Sequence, residues 1–265
     1  MTAFDEAFWR LASFAAALAA FGLAESLWPR RHRRLPRVLR WSGNFGIAAI
    51  NVLLLRLILP VSIVGFALLA QQRGWGLFNL VGLPVWMEIV LCVVALDFVV
   101  WAQHAIFHRV PALWRLHRMH HADTEFDIST GVRFHPVEIF LSALIKLAVV
   151  ALLGAPPIAV IIFEILLNAT AMFNHANLAL PQGLDRILRL FVVTPDMHRV
   201  HHSIHADEHN TNFGFNLPWW DYLFRTYCAQ PRDSHEGMMI GLGKFRAPKE
   251  SLIDKMITQP FRNGP

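Results

Sequence analysis

V-W-M-E-I-V-L-C-V-V-A-L-D-F-V-V-W-A-Q-H-A-I-F-H, from Val85 to His108, is an apolar run that ends in two histidines four residues apart. Val85 to Phe107 exceeds the ~20 residues that a helical bilayer crossing needs. Residues four apart share a helix face, so His104 and His108 present their imidazoles together at one end of a membrane span. Two further clusters follow: L-H-R-M-H-H, with His117, His120 and His121, and M-H-R-V-H-H, with His198, His201 and His202. Each is a preformed chelate of neutral imidazole, the commonest transition-metal ligand in proteins. Eight such donors exceed one tetrahedral zinc. They suit two metal ions with open positions, and imidazole favours iron, zinc or copper over magnesium or calcium.

Composition agrees with a membrane setting. The 265 residues are 55% hydrophobic and only 16% charged, outside the range of soluble domains. The first apolar stretch, Phe8 to Trp28, is span-length and lacks the features of a cleavable signal. The formal charge of +5 is concentrated where six arginines fall between Arg30 and Arg40. That run reads as a membrane-flanking basic loop and excludes nucleic acid as the expected partner. Two cysteines, Cys92 and Cys228, give neither a disulfide framework nor a zinc-thiolate pattern.

Outward from the Val85 span, Phe8 to Trp28 and Phe45 to Ala70 are two more candidate spans, the latter interrupted by Arg56 and Pro60. Ile139 to Ala171 is broken at Gly154, Ala155, Pro156 and Pro157, a strong turn signal. Its arms of about 15 residues reach roughly 22 Å as helix, against a ~30 Å hydrocarbon core. The expected fold is therefore an all-α integral membrane protein of about four elements: three full spans and a short helical hairpin, capped by cytosolic helices that carry the histidines. The positive-inside rule puts the arginine loop in the cytoplasm, and all three clusters then emerge on that face. Gly183 to Val193 and Lys249 to Phe261 have apolar residues at helical spacing and read as helices lying on that face or packing on the protein itself.

The spacing His104-x-x-x-His108, His117-x-x-His120-His121 and His198-x-x-His201-His202 resembles the fatty acid hydroxylase and sterol desaturase superfamily of integral-membrane di-iron enzymes. So do R-F-H-P-V-E at Arg133 to Glu138, F-N-H-A-N at Phe173 to Asn177, and T-P-D-M-H-R-V-H-H-S followed by N-F-G and W-W-D-Y-L-F-R-T-Y. The resemblance covers roughly Ile89 to Tyr227. It implies two iron ions beneath a helical cap, with zinc able to occupy the site after purification, O2 as co-substrate, and hydroxylation or desaturation of a lipid C–H bond. It also divides the single domain, 1–265, into N-terminal spans (1–83), a catalytic region (84–228) and a cytosolic tail (229–265). No dinucleotide fingerprint, haem-attachment motif or iron–sulfur cysteine set is present, so electrons must come from an external reductase with a ferredoxin or cytochrome. The bacterial inner membrane, with the metal site facing the cytoplasm, is the expected location.

His175 matches the family's F-x-H motif at the point where the hairpin returns, and it is the expected ninth ligand, with a core or supporting role as the alternative. Where some members carry another histidine four residues earlier, this chain has Ala171. His135 reads as cap packing, with a metal or substrate-entrance role as the alternative; His205 and His209 read as solvated loop residues close enough to ligate. His32 and His235 are not expected ligands. Asn174 and Asn177 are placed to hydrogen-bond ligand rings, while Asn212, Asp221 and Trp219 to Phe224 read as structural. Asp97, two turns before His104, has two readings: it orients a ligand ring, or it pairs with Arg56, which counts to the same depth. Lys146 and Glu164 likewise count to the same level of the hairpin. Hydroxylation of a fatty acyl, sterol-like or other lipid is the leading function and desaturation its variant. A membrane metal-binding or transport protein is the alternative from another class, disfavoured because transporters usually place ligands near mid-membrane.

Overall fold

The computed structural model describes residues 3–263. Among them no strand forms, and β-type pairing is limited to isolated bridges of Pro29 with Leu178 and Ser203 with Ile240. Five helical stretches are long and apolar enough to cross a membrane. They begin with α1 (Ala3–Leu27) and α2 (Arg37–Ile58). The second apolar region is not one helix: it stops at Leu59 and restarts, capped by the Ser62 hydroxyl, as α3 (Ile63–Gln72), followed by the short α4 (Leu77–Val81). Pro60 explains the break, because proline removes a helix donor and biases the residue before it toward extended backbone.

Helix α5 (Val85–Arg109) runs directly into α6 (Pro111–His121), with Val110 extended between them and Pro111 opening the second helix. The hairpin is α7 (Pro136–Leu153) and α8 (Pro157–Asn174), each opened by a proline, where the missing N–H costs nothing. Its arms are 18 residues each, about 27 Å at helical rise, longer than the 15 counted from apolar residues alone. The difference lies at the ends, where Pro136 to Glu138 and Met172 to Asn174 are helical although the apolar stretch does not include them. Gly154 ends α7 at φ 65°, and any Cβ there would collide with the Trp75 carbonyl and the Asn79 amide. Glycine thus lets the hairpin turn seat against the α3–α4 link.

Helix α8 is the hub, packed by α1, α3 and α5. Its inner face buries Ala159, Val160 and Phe163 against Cys92, Leu96 and Val150. Large apolar side chains such as Leu53, Leu57, Trp86 and Leu152 point outward and are exposed, as expected where lipid rather than water is the solvent. The remaining helices are short: α9 (Gln182–Leu188), α10 (Pro195–His201), α11 (Ala206–His209), α12 (Trp219–Leu223) and α13 (Ile253–Thr258). Lys249 to Phe261 is not one helix but a 3-10 turn, α13 and a second 3-10 turn.

Four charges anticipated in the spans divide two ways. Lys146 and Glu164 meet across the hairpin at 3.5 Å, with Arg10 of α1 3.2 Å from the same carboxylate. Arg56 and Asp97 do not pair. Arg56 sits exposed in the last turn of α2, where its long side chain can reach the interface, and Asp97 instead accepts from Trp220 Nε1 at 2.8 Å. Asp97 therefore ties α12 to α5 and does not touch a histidine ring.

The arginine-rich segment is also more than a loop facing lipid. Arg33 and Arg37 both reach Glu25, Arg30 pairs with Asp196 and Glu236, and Arg31 donates to the carbonyls of His235, Glu236 and Met238. Arg40, 1% exposed, grips Asp123 through two nitrogens at 2.7 and 2.8 Å and Asp127 at 2.5 Å. Arg40 thus clips α2 onto the segment that follows the second histidine cluster, while Arg30 and Arg31 hold the loop against Asp196 and the stretch from His235 to Met238.

Candidate metal centre

Three helix ends and one helix cap converge. The last turn and a half of α5 supplies His104 and His108, the end of α6 supplies His117, His120 and His121, α10 supplies His198, His201 and His202, and His175 caps the C-terminus of α8. Proline opens α6 and α10 immediately upstream of their histidines, and the Thr194 hydroxyl caps α10 by accepting from Met197 N. Eight of the nine rings are buried and His108 is half-buried.

The rings form two adjoining sets. His104, His108, His117, His121 and His201 bring one ring nitrogen each within 4.8 Å of one another, and so do His120, His175, His198 and His202. The sets touch where His121 stacks on His202, centroids 4.6 Å apart. Phe134 stacks on His120 at 4.5 Å, and Phe213 and Phe215 pack edgewise or tilted against His104 at 5.5 and 5.1 Å, so aromatic carbon rather than water walls the site.

Outer contacts decide which nitrogen is free. Nδ1–H of His104 donates to the Phe213 carbonyl at 2.7 Å, of His175 to Ala171 at 2.7 Å, of His201 to Thr211 at 2.6 Å and of His120 to Arg133 at 3.2 Å. His117 Nδ1 donates to Glu138 Oε1 at 2.6 Å. A carbonyl cannot donate, so each such contact fixes the proton on Nδ1 and leaves Nε2 as a bare lone pair. Yet His104 and His117 point their Nε2 atoms at each other across 3.0 Å, and His175 points its Nε2 at those of His120 and His198 at 3.2 and 3.1 Å. The Nε2 atoms of His108, His121, His201 and His202 are buried with no hydrogen-bond partner among the described residues. Lone pairs converging on lone pairs repel unless a cation lies between them, so the donors fit two metal ions. Burial and neighbouring imidazoles hold His120, His121, His198 and His202 well below the usual histidine range, burial does the same for His201, and it takes His175 down to about 4. These six donors are neutral and ready to ligate at neutral pH.

The other candidates lie outside these sets. His135 caps α7, accepting from Val137 N, and its Nε2 reaches the Ile257 carbonyl at 3.2 Å. His205 pairs with Asp233 at 2.7 Å, while His209 stacks on Trp114 about 6 Å from the His108 and His121 rings. Asn174 donates to the Phe215 carbonyl and Asn177 to that of Arg31; neither bonds a ligand ring, because both amides are used to fasten loops. Asn212 is structural, its amide holding Met197 and Cys228 carbonyls from a positive φ of 52°. Asp221 gathers the N–H groups of Phe213 and Gly214 with Trp101 Nε1 and Thr226 Oγ1.

Sequence reasoning gave no role to Glu138, Arg133 or Arg40. Arg133, buried beside the site, donates to the Met119 carbonyl and Asn44 while its own carbonyl holds His120. Glu138 could have been found in R-F-H-P-V-E as the one carboxylate in a motif beside the clusters; Arg40 was hidden among five other arginines.

The comparisons with known proteins point the same way. The fatty acid hydroxylase model matches residues 89–226. An ornithine lipid hydroxylase of Rhizobium tropici is 33% identical over 155 residues, 57% of this chain and 45% of that protein. An alkylglycerol monooxygenase of Caenorhabditis elegans is 25% identical over 60% of this chain and 30% of its own length, and a cholesterol 25-hydroxylase of Rattus norvegicus 22% identical over 54% and 48%. The match thus spans less than half the length of each of these relatives. No solved structure matches the chain. With the model covering more than half of the sequence and every histidine of the two sets, the chain belongs to the fatty acid hydroxylase family.

Proposed function

We propose that this integral membrane protein is an O2-dependent lipid hydroxylase whose two iron ions are held by His104, His108, His117, His121 and His201 on one side and by His120, His175, His198 and His202 on the other. The carrying observation is the convergence of unprotonated Nε2 atoms in two buried sets. Iron bound there supplies oxygen activation and one-electron steps, which the fixed valence of zinc does not. The overall balance is a lipid C–H bond, O2, two electrons and two protons giving a C–OH and water. The electrons come from a separate reductase with a ferredoxin or cytochrome.

The chain's own residues divide the remaining work. The carbonyls of Phe213, Arg133, Ala171 and Thr211 and the Glu138 carboxylate hold the imidazoles in one tautomer and orientation. Phe134, Phe213 and Phe215 keep bulk water from the rings. An apolar groove of Leu91, Ala95, Phe98, Trp220 and Phe224 runs along the outer face of α5, the helix that ends in His104 and His108, and in this reading it takes the lipid's apolar chain. We read residues 1–265 as one membrane domain in the bacterial inner membrane with its cap in the cytoplasm. The relatives act on an ornithine lipid, an alkylglycerol and cholesterol, and we assign this chain the shared chemistry, oxygen insertion into an amphiphilic lipid.

Lipid extracts of cells with and without the protein, supplied with an electron donor, test the reading by mass spectrometry. A lipid heavier by one oxygen is expected. A product lighter by two hydrogens would convert the assignment to desaturation, and no change in any lipid class would reject both.

A further inference from the structure

A second polar cleft lies on the cap, lined by Arg30, Asp185, Arg186, Arg189, Asp196 and His235. It is separate from the histidine sets but shares α10 with them: His198, His201 and His202 face the metal site, while Asp196 and Arg199 turn the other way. Arg189, 5% exposed, is built into the wall. Its Nε lies 2.7 Å from Asp185 Oδ2 and its Nη1 donates to the Ala229 carbonyl at 2.7 Å, yet Nη2 is buried with no partner among the described residues. Both ring nitrogens of His235 and Oδ1 of Asp185 lack hydrogen-bond partners as well. Arg186 is exposed at the rim and forms no ion pair among the described residues.

We propose that this cleft binds a phosphate-ester head group that also carries a hydrogen-bond donor, an ammonium or a hydroxyl. Arg30, Arg186, Arg189 and Arg199 face Asp185, Asp196 and Glu236, with Asp196 shared by Arg30 and Arg199 and Glu236 taken by Arg30, so the surplus is one cation and calls for an anion. Guanidinium forks match phosphate oxygens. The free Asp185 oxygen sits among these cations and calls for a donor on the same ligand, which favours ethanolamine or glycerol esters over choline esters. The setting points to the membrane–water boundary. Opposite Asp185 and Arg189, the same stretch of chain exposes Leu184, Ile187 and Phe191, with Leu190, Trp219 and Leu223 also exposed. An apolar ridge beside a charged cleft suits a segment lying in the interface, where head groups are concentrated.

This proposal extends beyond the hydroxylase reading and does not rest on it, because its test reads lipid retention and not turnover. The full chain in detergent is exposed to phosphatidylethanolamine, phosphatidylglycerol or phosphatidylcholine of the same acyl composition, and bound lipid is counted by native mass spectrometry. At least one of the two donor-bearing lipids should be retained about tenfold more tightly than phosphatidylcholine, the size of one charge-assisted contact. Arg189→Lys keeps a cation beside Asp185 but loses the fork that every one of these phosphates would use, so it should weaken retention of all three lipids about tenfold, whereas Asp185→Asn, which removes the acceptor charge, should erase most of the preference. Arg186→Gln, at an exposed position whose loss leaves folding intact, should weaken retention of all three several-fold. Glycerophosphoethanolamine as competitor separates the two sources of the same chemistry: displacement of the lipid at millimolar concentration points to a soluble ester, and persistence points to the membrane lipid. Equal retention of all three lipids by the wild type, unchanged retention in both arginine variants, or a preference that Asp185→Asn leaves intact would overturn the proposal.

Discussion

Glu138 offers the sharpest separation between the two histidine sets, because it touches only one of them. Its carboxylate accepts from His117 Nδ1 at 2.6 Å and is 5% exposed, so the contact is a charge-assisted hydrogen bond out of water, worth about 1.5–3 kcal/mol. Glu138→Gln keeps the size and removes the charge. It also lets the amide present an N–H to Nδ1, which would place the imidazole proton on Nε2 and point it at the metal. Partners of this kind change metal affinity by about 10- to 100-fold when lost, or about 1.4–2.7 kcal/mol, in line with the hydrogen-bond figure. None of His120, His175, His198 and His202 contacts Glu138 through a hydrogen bond or ion pair among the described residues. Chelator competition followed by elemental analysis should therefore become biphasic in Glu138→Gln, one metal leaving about 10- to 100-fold more readily and the other as in the wild type. Equal weakening of both metals, or no change in either, would refute the assignment of His117 to a set of its own.

Replacing His120 or His201 with Ala should abolish oxygen-dependent product while leaving membrane insertion intact, as judged by membrane fractionation; ordinary turnover in either variant would exclude the mechanism. Glu164→Gln strands Lys146 and takes one partner from Arg10, whereas Lys146→Met leaves Glu164 paired with Arg10. Stranded charges in spans cost about 2.5–3.5 kcal/mol, so thermal unfolding in detergent should show the glutamate variant as the less stable, and the reverse order would contradict the triad. Because burial depresses the imidazole pKa values of His120, His121, His198, His201 and His202, the unfolded chain takes up more protons than the folded one below pH about 6.5. Metal-stripped protein should therefore hold its stability above that pH and lose it as pH falls, with Tm lower at pH 5 than at pH 8; a Tm that rises on acidification would reverse the sign and reject the neutral-donor picture.

The membrane class and the clusters were legible because both are local patterns: apolar runs of span length, and imidazoles at i, i+3 and i+4. The partition of the nine histidines was not. His121 belongs with His201, while its neighbour His120 joins His198 and His202, since adjacent residues on a helix point about 100° apart. Depth counting placed Lys146 beside Glu164 because a tight hairpin fixes the register of its two arms. The same counting failed for Arg56 and Asp97 because Pro60 ends α2 just beyond Arg56, and because a tryptophan 123 residues downstream of Asp97 claims the carboxylate. Reading Arg30 to Arg40 as a membrane-flanking basic loop missed Arg40 for a related reason: a long-range ion pair leaves no periodic trace.

The central claim is that five and four imidazoles enclose two separate metal ions. Elemental analysis of freshly purified, fully loaded protein, repeated on His108→Ala and His175→Ala, tests it most directly. The account predicts close to two ions per chain in the wild type, with iron native, and selective loss of one ion in each variant, each leaving the other site filled. One ion per chain in fully loaded wild-type protein, or loss of the same single ion in both variants, would contradict it.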